Sequence, residues 1–406
     1  MLNMQILIET HNRLLKSLDS VCQRKFFSDF KMTGRIVGIV GARGVGKTTF
    51  LLNYLKEKYK NSDKGLYVSA DNLYFSENSL LGLADQFYKE YNGELLCIDE
   101  IHKYKNWNQE LKNIYDSYPK MKIIFSGSSC LDLTKSGYDL SRRVILKNMS
   151  GFSFREFLEV KLKKPFPVLK LKDIINKGGQ ISKELSEEPK LTGYLKEYYR
   201  QGYYPIFIEL GGYDDYKDAL LGILNKTVFE DIGGFYSLKT ENLDIFRKIV
   251  YFFATSEPGS LNVNKLAKSL KKDYTTIANY IEMLRESGLL RFLLNNKQGH
   301  ALVRNAEKIY LDNTNLVYAV NKTIGKTASI GLIRELFVIS HLENAGCKVF
   351  FSKQGDIECA GWTFEIGGAS KDKRQIKNIK KSYLIKDDIL ISAGQNIPLY
   401  LFGFLH

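Results

Sequence analysis

Residues 41–48 read Gly-Ala-Arg-Gly-Val-Gly-Lys-Thr, the spacing G-x-x-x-x-G-K-S/T. They lie between the apolar run Ile36–Val40 and a segment carrying Leu51, Leu52 and Leu55 at helical spacing. A strand that turns through glycines into a helix leaves backbone N–H groups pointing into the turn, where an anion can sit. The pattern therefore predicts an α/β unit and a phosphate-binding loop. Gly41, Ala42, Arg43, Gly44, Val45, Gly46, Lys47, Thr48 and Thr49 are the contact residues. Lys47 is suited to the β and γ oxygens of a nucleotide and the Thr48 hydroxyl to a magnesium ion.

The pattern beyond the loop continues to alternate. A strand over Gly65–Ser69, a helix over Ser79–Tyr91, a strand over Glu94–Ile98, a helix over Trp107–Tyr118 and a strand over Lys122–Phe125 follow in turn. This order predicts a parallel sheet with helices on both faces. The run Leu95-Leu96-Cys97-Ile98-Asp99-Glu100 delivers two carboxylates at a strand end, where ligands bind in open α/β sheets. Alone, such a pair is commonly structural. After this loop it reads as Asp99 holding magnesium through its water shell and Glu100 polarising an attacking water.

Two further segments are candidates for the same chemistry. Ser126-Gly127-Ser128-Ser129 places a small hydroxyl after the Lys122–Phe125 strand. Ser128 is our candidate for a contact near the γ-phosphate, a simple turn being the alternative. Arg142 or Arg143 could serve as an arginine finger, in cis or across a subunit interface; plain surface charge is the other reading. His102 has no dyad partner in sequence and reads as the start of a helix. Tyr198, Tyr199, Tyr203 and Tyr204 read as packing rather than a base-stacking platform.

The chain has 406 residues, enough for two to four domains at roughly 100–200 residues each. With 59 Lys and Arg against 45 Asp and Glu, it favours anionic partners or simply has a basic surface. Five widely spaced cysteines without a CxxC pair suggest neither zinc nor a disulfide framework, and fit reduced thiols in a cytoplasmic protein. Glu9, Arg13, Lys16 and Asp19 leave no apolar core for a secretory signal, and no membrane span is expected. The charge-free run 389–406 is broken by Gly394, Gln395, Asn396 and Pro398 and reads as two strands around a turn.

We expect five regions: a helical brace over 1–34, with Leu7, His11, Leu14, Leu15, Leu18 and Cys22 on one stripe; the phosphate-loop domain over 35–150; a helical lid or bridge over 151–255, broken at Gly178–Gly179; a winged helix-turn-helix over 256–305; and a small α/β domain over 306–406 with a helix at Ile330–Ala345. Between 261 and 300, seven Lys and Arg outnumber three acids. The second helix there would bury Ile277, Ile281 and Leu284 and present Thr275, Thr276, Asn279, Glu282 and Glu286. Only Asn279 and Arg285 suit base reading, so duplex DNA is a candidate partner without sequence preference. Packing against the first domain as a nucleotide-sensing lid is the alternative.

Across 35–158 the segments GARGVGKTTFLLNYLKEKY, LYVSADNLYF, LLCIDEIHKYKNWNQELKNIYD, IIFSGSSCLDL, LSRRVI and GFSFREFLE resemble prokaryotic AAA-type P-loop ATPases whose C-terminal half is a domain of unknown function with winged-helix and nuclease-like parts. The resemblance implies an ASCE-class P-loop NTPase core, ATP with magnesium, and a cytoplasmic location. It also implies a restriction-endonuclease-like fold near the end, with Glu335, Asp356 and Glu365 as remnants of its metal-binding carboxylates. The expected Glu-x-Lys is replaced by Glu365-Ile366-Gly367, although Lys371 or Lys373 is close in sequence; a retained scaffold ranks above an active nuclease. An ATP hydrolase acting as a nucleotide-driven switch is the leading expectation. An ATP-gated DNA-binding regulator with little turnover is the runner-up. Self-association and a protein partner are left open.

Overall fold

The computed structural model describes residues 4–18, 24–60, 62–127, 140, 142–236, 238–257, 263–296, 303 and 306–406. The chain divides into two compact units, Met1–Gly151 and Phe152–His406. In the first, α1 (Met4–Ser17) and α2 (Lys25–Asp29) precede β1 (Ile36–Val40), α3 (Lys47–Lys58), β2 (Gly65–Ser69), α4 (Leu80–Tyr91), β3 (Leu95–Asp99), α5 (Trp107–Ser117), β4 (Lys122–Gly127) and β5 (Val144–Asn148). The strands form one sheet in the order β2-β3-β4-β1-β5, and every pairing is parallel.

Period-two alternation sorts the buried side chains onto two faces. Ile36, Leu66, Val68, Leu96, Ile98, Ile123, Phe125 and Val144 share a core with α1, α4 and α5. The intervening residues, including Val37, Ile39, Tyr67, Cys97 and Ile124, are also buried, and α3 packs against β2, β3 and β4. Such runs, apolar on both faces, are what a parallel sheet between helices demands. The fifth strand, β5, extends the sheet beyond the four expected.

The brace is α1, which lies on β2 with Met4, Leu7 and His11 buried. Cys22 lies outside the described residues. His11 Nδ1 accepts the Tyr67 N–H at 3.1 Å on the sheet's edge strand. This satisfies a donor that an edge leaves open.

The second unit begins with α6 (Phe154–Leu162), α7 (Leu171–Leu185), α8 (Leu191–Arg200) and α9 (Tyr213–Lys226), which runs through a π turn over Thr227–Ile232 into α10 (Gly233–Phe235). The remaining helices and strands are α11 (Thr240–Thr255), α12 (Val263–Ser269), α13 (Tyr274–Glu286), β6 (Leu290–Leu294), β7 (Ala306–Leu311), α14 (Thr314–Thr323), α15 (Ile330–Asn344), β8 (Val349–Phe351), β9 (Ile357–Cys359), β10 (Trp362–Gly367), β11 (Ser382–Lys386) and β12 (Asn396–Pro398). β6 pairs antiparallel with β7, and the last five strands form a mixed sheet in the order β12-β11-β10-β9-β8.

Two expectations are corrected here. The expected break at Gly178–Gly179 is absent because α7 runs straight through it. A Cβ on Gly178 would come within 3.0 Å of Ser392 Oγ, so this glycine serves close approach within a helix rather than a turn. The expected pair of strands over 389–406 is one short strand, β12, followed by a 3₁₀ helix over Leu399–Phe404. All six residues of that helix are buried, against α6, α7 and α15. The four tyrosines 198, 199, 203 and 204 are core residues, each no more than 4% exposed. No helix among the described residues is long and apolar enough to cross a membrane.

Burial lowers the His11 pKa below its ordinary 6.5, with Asp63 pulling weakly the other way. Only neutral His11 can accept the Tyr67 N–H. Its contribution is therefore present above the unfolded value and is lost as the pH falls from 6.5 through the lowered folded value. We predict that the thermal midpoint drops between pH 7 and pH 5.5 more in the wild type than in His11→Gln, as followed by calorimetry. Parallel pH profiles would contradict this.

Candidate nucleotide site

The site is built where β1, β3 and β4 end side by side. Gly41 follows β1 so closely that a Cβ there would lie 2.3 Å from Met149 O, and the Met149 N–H donates to Val40 O at 2.8 Å. Gly44 and Gly46 have φ of 82° and 97°, conformations that disfavour any side chain. The loop then enters α3, whose first-turn N–H groups have no intrahelical partners. Lys47, 6% exposed, folds back over the loop and donates to Gly41 O at 2.9 Å and Ala42 O at 3.0 Å. Val45 is fully buried, while Ala42, Arg43 and Thr49 are partly exposed and Thr48 exposed.

Asp99 ends β3 at 3% exposure and collects three hydroxyls. Thr48 Oγ1 donates to its Oδ2 at 2.6 Å, the Tyr67 hydroxyl donates to the same oxygen at 2.9 Å, and Ser126 Oγ donates to Oδ1. Burial and the neighbouring Asp99 carboxylate push the Tyr67 phenol well above its ordinary value, so it stays a donor. Asp99, Ser126 and Tyr67 converge because strand alternation points all three to the α3 face. Ser126 also accepts the Glu100 N–H at 2.9 Å. That bond accompanies a left-handed Glu100 backbone (φ 52°), which turns the chain into a 3₁₀ turn over Ile101–Lys103. His102 Nε2 then stands 3.3 Å from Glu100 Oε2, so the histidine taken as partnerless in sequence does face a carboxylate.

The structure thus brings Lys47, Thr48, Asp99 and Glu100 together. Ser128 lies outside the described residues. Arg142 and Arg143 occupy the turn before β5, beside the start of β1, because Ile36 pairs with Val144. A five-residue strand, roughly 16 Å long, separates that end of the sheet from the loop. Within this chain the arginines and the loop are not brought together. Arg143 instead faces Asp116 at 3.4 Å and lies over Tyr115, while Arg142 is exposed.

Two contributors escaped sequence reasoning. The sequence points to Ser128, and Ser126 joins the site only through the register of β4 against β3. Buried Arg24 donates to Val45 O at 2.7 Å, Ser150 O at 2.8 Å and Gly151 O at 2.9 Å, tying the loop to the strand β5 exit; nothing in its sequence neighbourhood signals this.

In the second unit Glu335, Asp356 and Glu365 lie near one another and beside two ammoniums. Lys308 Nζ lies 2.8 Å from Glu335 and 3.4 Å from Asp356, and Lys371 Nζ lies 2.5 Å from Glu365. Lys373 bonds Gln395 instead. Burial pushes the Glu335 and Glu365 carboxyls up, each with a further push from Asp356. Among the described residues no group of three or more His, Cys, Asp or Glu is arranged to hold a metal ion. On α13, Ile277, Ile281 and Leu284 are buried as expected and Asn279 is exposed. Arg285, expected to face a base, bonds Glu282 at 2.7 Å and lies over Phe292.

Comparison with known proteins follows the same division. Residues 33–158 match the family described as an AAA domain. This segment has the P-loop NTPase fold and is similar to AAA domains. Residues 192–327 match a domain of unknown function. An uncharacterized protein of Methanocaldococcus jannaschii is 27% identical over 288 residues, covering 68% of this chain and 60% of the relative; the chain thus spans about three fifths of that protein's length.

Among solved structures, AMPPCP-bound DnaA from Aquifex aeolicus is 20% identical, covering 70% of this chain and 89% of that one, with a TM-score of 0.27. The Aeropyrum pernix ORC1 protein in complex with DNA is 13% identical, covering 78% and 92%, with a TM-score of 0.29. Superpositions this loose carry no argument about function. The AAA-type domain itself, with its parallel sheet and phosphate loop, is a nucleotide-binding fold.

In this domain Ser126→Ala would strip a fully buried Glu100 N–H partner and one Asp99 donor. We expect a loss of about 1–3 kcal/mol in urea unfolding. A variant as stable as the wild type would contradict the bridging role of Ser126.

Proposed function

We propose that the chain binds ATP with magnesium and hydrolyses it, acting as a nucleotide-driven switch coupled to its second unit. The observation that carries this reading is the convergence of Lys47, Thr48, Asp99 and Glu100 at the C-terminal ends of β1, β3 and β4. The backbone N–H groups of Gly41–Thr49 bind the phosphates, and Lys47 leaves the loop carbonyls for the β and γ oxygens. Thr48 and Asp99 would hold magnesium, since their 2.6 Å pairing is an all-oxygen donor set suited to a hard cation that keeps its waters. When bound, that cation supplies charge neutralisation on the phosphates. Glu100 accepts a proton from the attacking water, and Ser126 fixes its backbone. Ser128 is retained as a contact near the γ-phosphate. Arg142, at the far end of the sheet, fits a finger role only toward a second copy, which makes self-association part of the reading.

A second reading rests on the 3.3 Å approach of His102 to Glu100. If that contact persists with nucleotide bound, Glu100 is held from water and the chain is an ATP-gated binding protein with little turnover. In either reading α12, α13 and the β6–β7 hairpin, taken as a winged helix, offer exposed Lys268, Lys271 and Lys272 to the phosphates of duplex DNA without base preference. Lys308 between Glu335 and Asp356 supports a retained scaffold rather than a nuclease.

The test is steady-state ATP hydrolysis by the wild type, Glu100→Gln and Arg142→Ala, with magnesium, with and without duplex DNA. We expect turnover to fall about 100-fold or more in Glu100→Gln, to fall in Arg142→Ala, and to rise with DNA more at low than at high salt. Tight ATP binding with no turnover under any of these conditions would favour the second reading.

A further inference from the structure

On the edge strand β2, Tyr67 is bonded at both ends of the residue. Its N–H goes to His11 Nδ1 of α1 at 3.1 Å, and its hydroxyl goes to Asp99 Oδ2 at 2.9 Å. The second bond follows from register. Ser69 pairs with Asp99 in the parallel ladder, so Tyr67, two residues earlier on the same face, stands diagonal to that carboxylate with a side chain long enough to reach it. The oxygen it meets is the one that also receives Thr48 Oγ1.

We propose that Tyr67 is a positioning residue for the magnesium site. It fixes the Asp99 carboxylate plane so that Oδ2 keeps the Thr48 hydroxyl and the carboxylate would be held ready for the cation, and α1, through His11, fixes Tyr67. This rests on the nucleotide reading above. Partners of a metal-facing carboxylate orient it and tune its affinity without touching the metal. Ser126 does this for Oδ1, and Tyr67 does it for Oδ2.

The experiment is a fluorescence titration of mant-ATP into the full chain, in excess magnesium and in EDTA, for the wild type, Tyr67→Phe, Asp99→Asn and the double variant. The proposal predicts that Tyr67→Phe melts within a few degrees of the wild type and keeps the EDTA affinity. Its magnesium-dependent gain in affinity should shrink by about tenfold, and in the Asp99→Asn background the same substitution should add nothing. An undiminished magnesium gain in Tyr67→Phe, an equal further loss on top of Asp99→Asn, or a Tyr67→Phe chain that no longer folds would each overturn it. A wild type that binds mant-ATP equally with and without magnesium fails the magnesium reading itself, which separates that failure from a failure of Tyr67.

Discussion

The hydrogen bond from Thr48 to Asp99, 2.6 Å across the top of the sheet, joins the first turn of α3 to the end of β3, and much of the first unit is arranged to make it. A parallel ladder places the C-terminal ends of β1, β3 and β4 level with one another. Their side chains must alternate, so the residues that reach the α3 face at that level share one small volume. Asp99 and Ser126 arrive there from β3 and β4, and Tyr67 reaches across from β2. The glycines of the loop let the chain leave β1 under Met149 and re-enter a helix within a few residues, which puts Thr48 opposite Asp99. A buried carboxylate has lost its water partners, and nearby hydroxyls replace them only if they donate to it. Here all three do.

The same constraint explains what could be read beforehand. The loop spacing, the apolar strands and the Asp99-Glu100 pair are local patterns, and the parallel sheet follows from their alternation with helices. Ser126 and Tyr67 depend on register between strands distant in sequence, which local periodicity does not specify. Arg24 depends on a contact with carbonyls more than a hundred residues away, at Ser150 and Gly151. The run 389–406 was misread because a continuously apolar stretch fits a doubly covered strand and a buried helical turn equally well. Gly178–Gly179 was misread because glycine marks close packing in a helix as readily as it marks a break.

Charge is handled differently in the two units. In the first, the Asp99 carboxylate is held by three neutral donors. In the second, Lys308 lies between Glu335 and Asp356 and Lys371 lies beside Glu365, so two ammoniums sit among three carboxylates. Likewise Arg285 on α13 is balanced by Glu282. On the proposed reading, chemistry on an external phosphate belongs to the first unit, and the exposed lysines of the second would serve contact.

Whether the loop at 41–49 holds a nucleoside triphosphate is decided by calorimetric titration of ATP with magnesium into the wild type and Lys47→Ala. The account predicts one site per chain in the wild type, weakened at least tenfold in the variant. Equal binding by the two proteins, or none by the wild type, would contradict it.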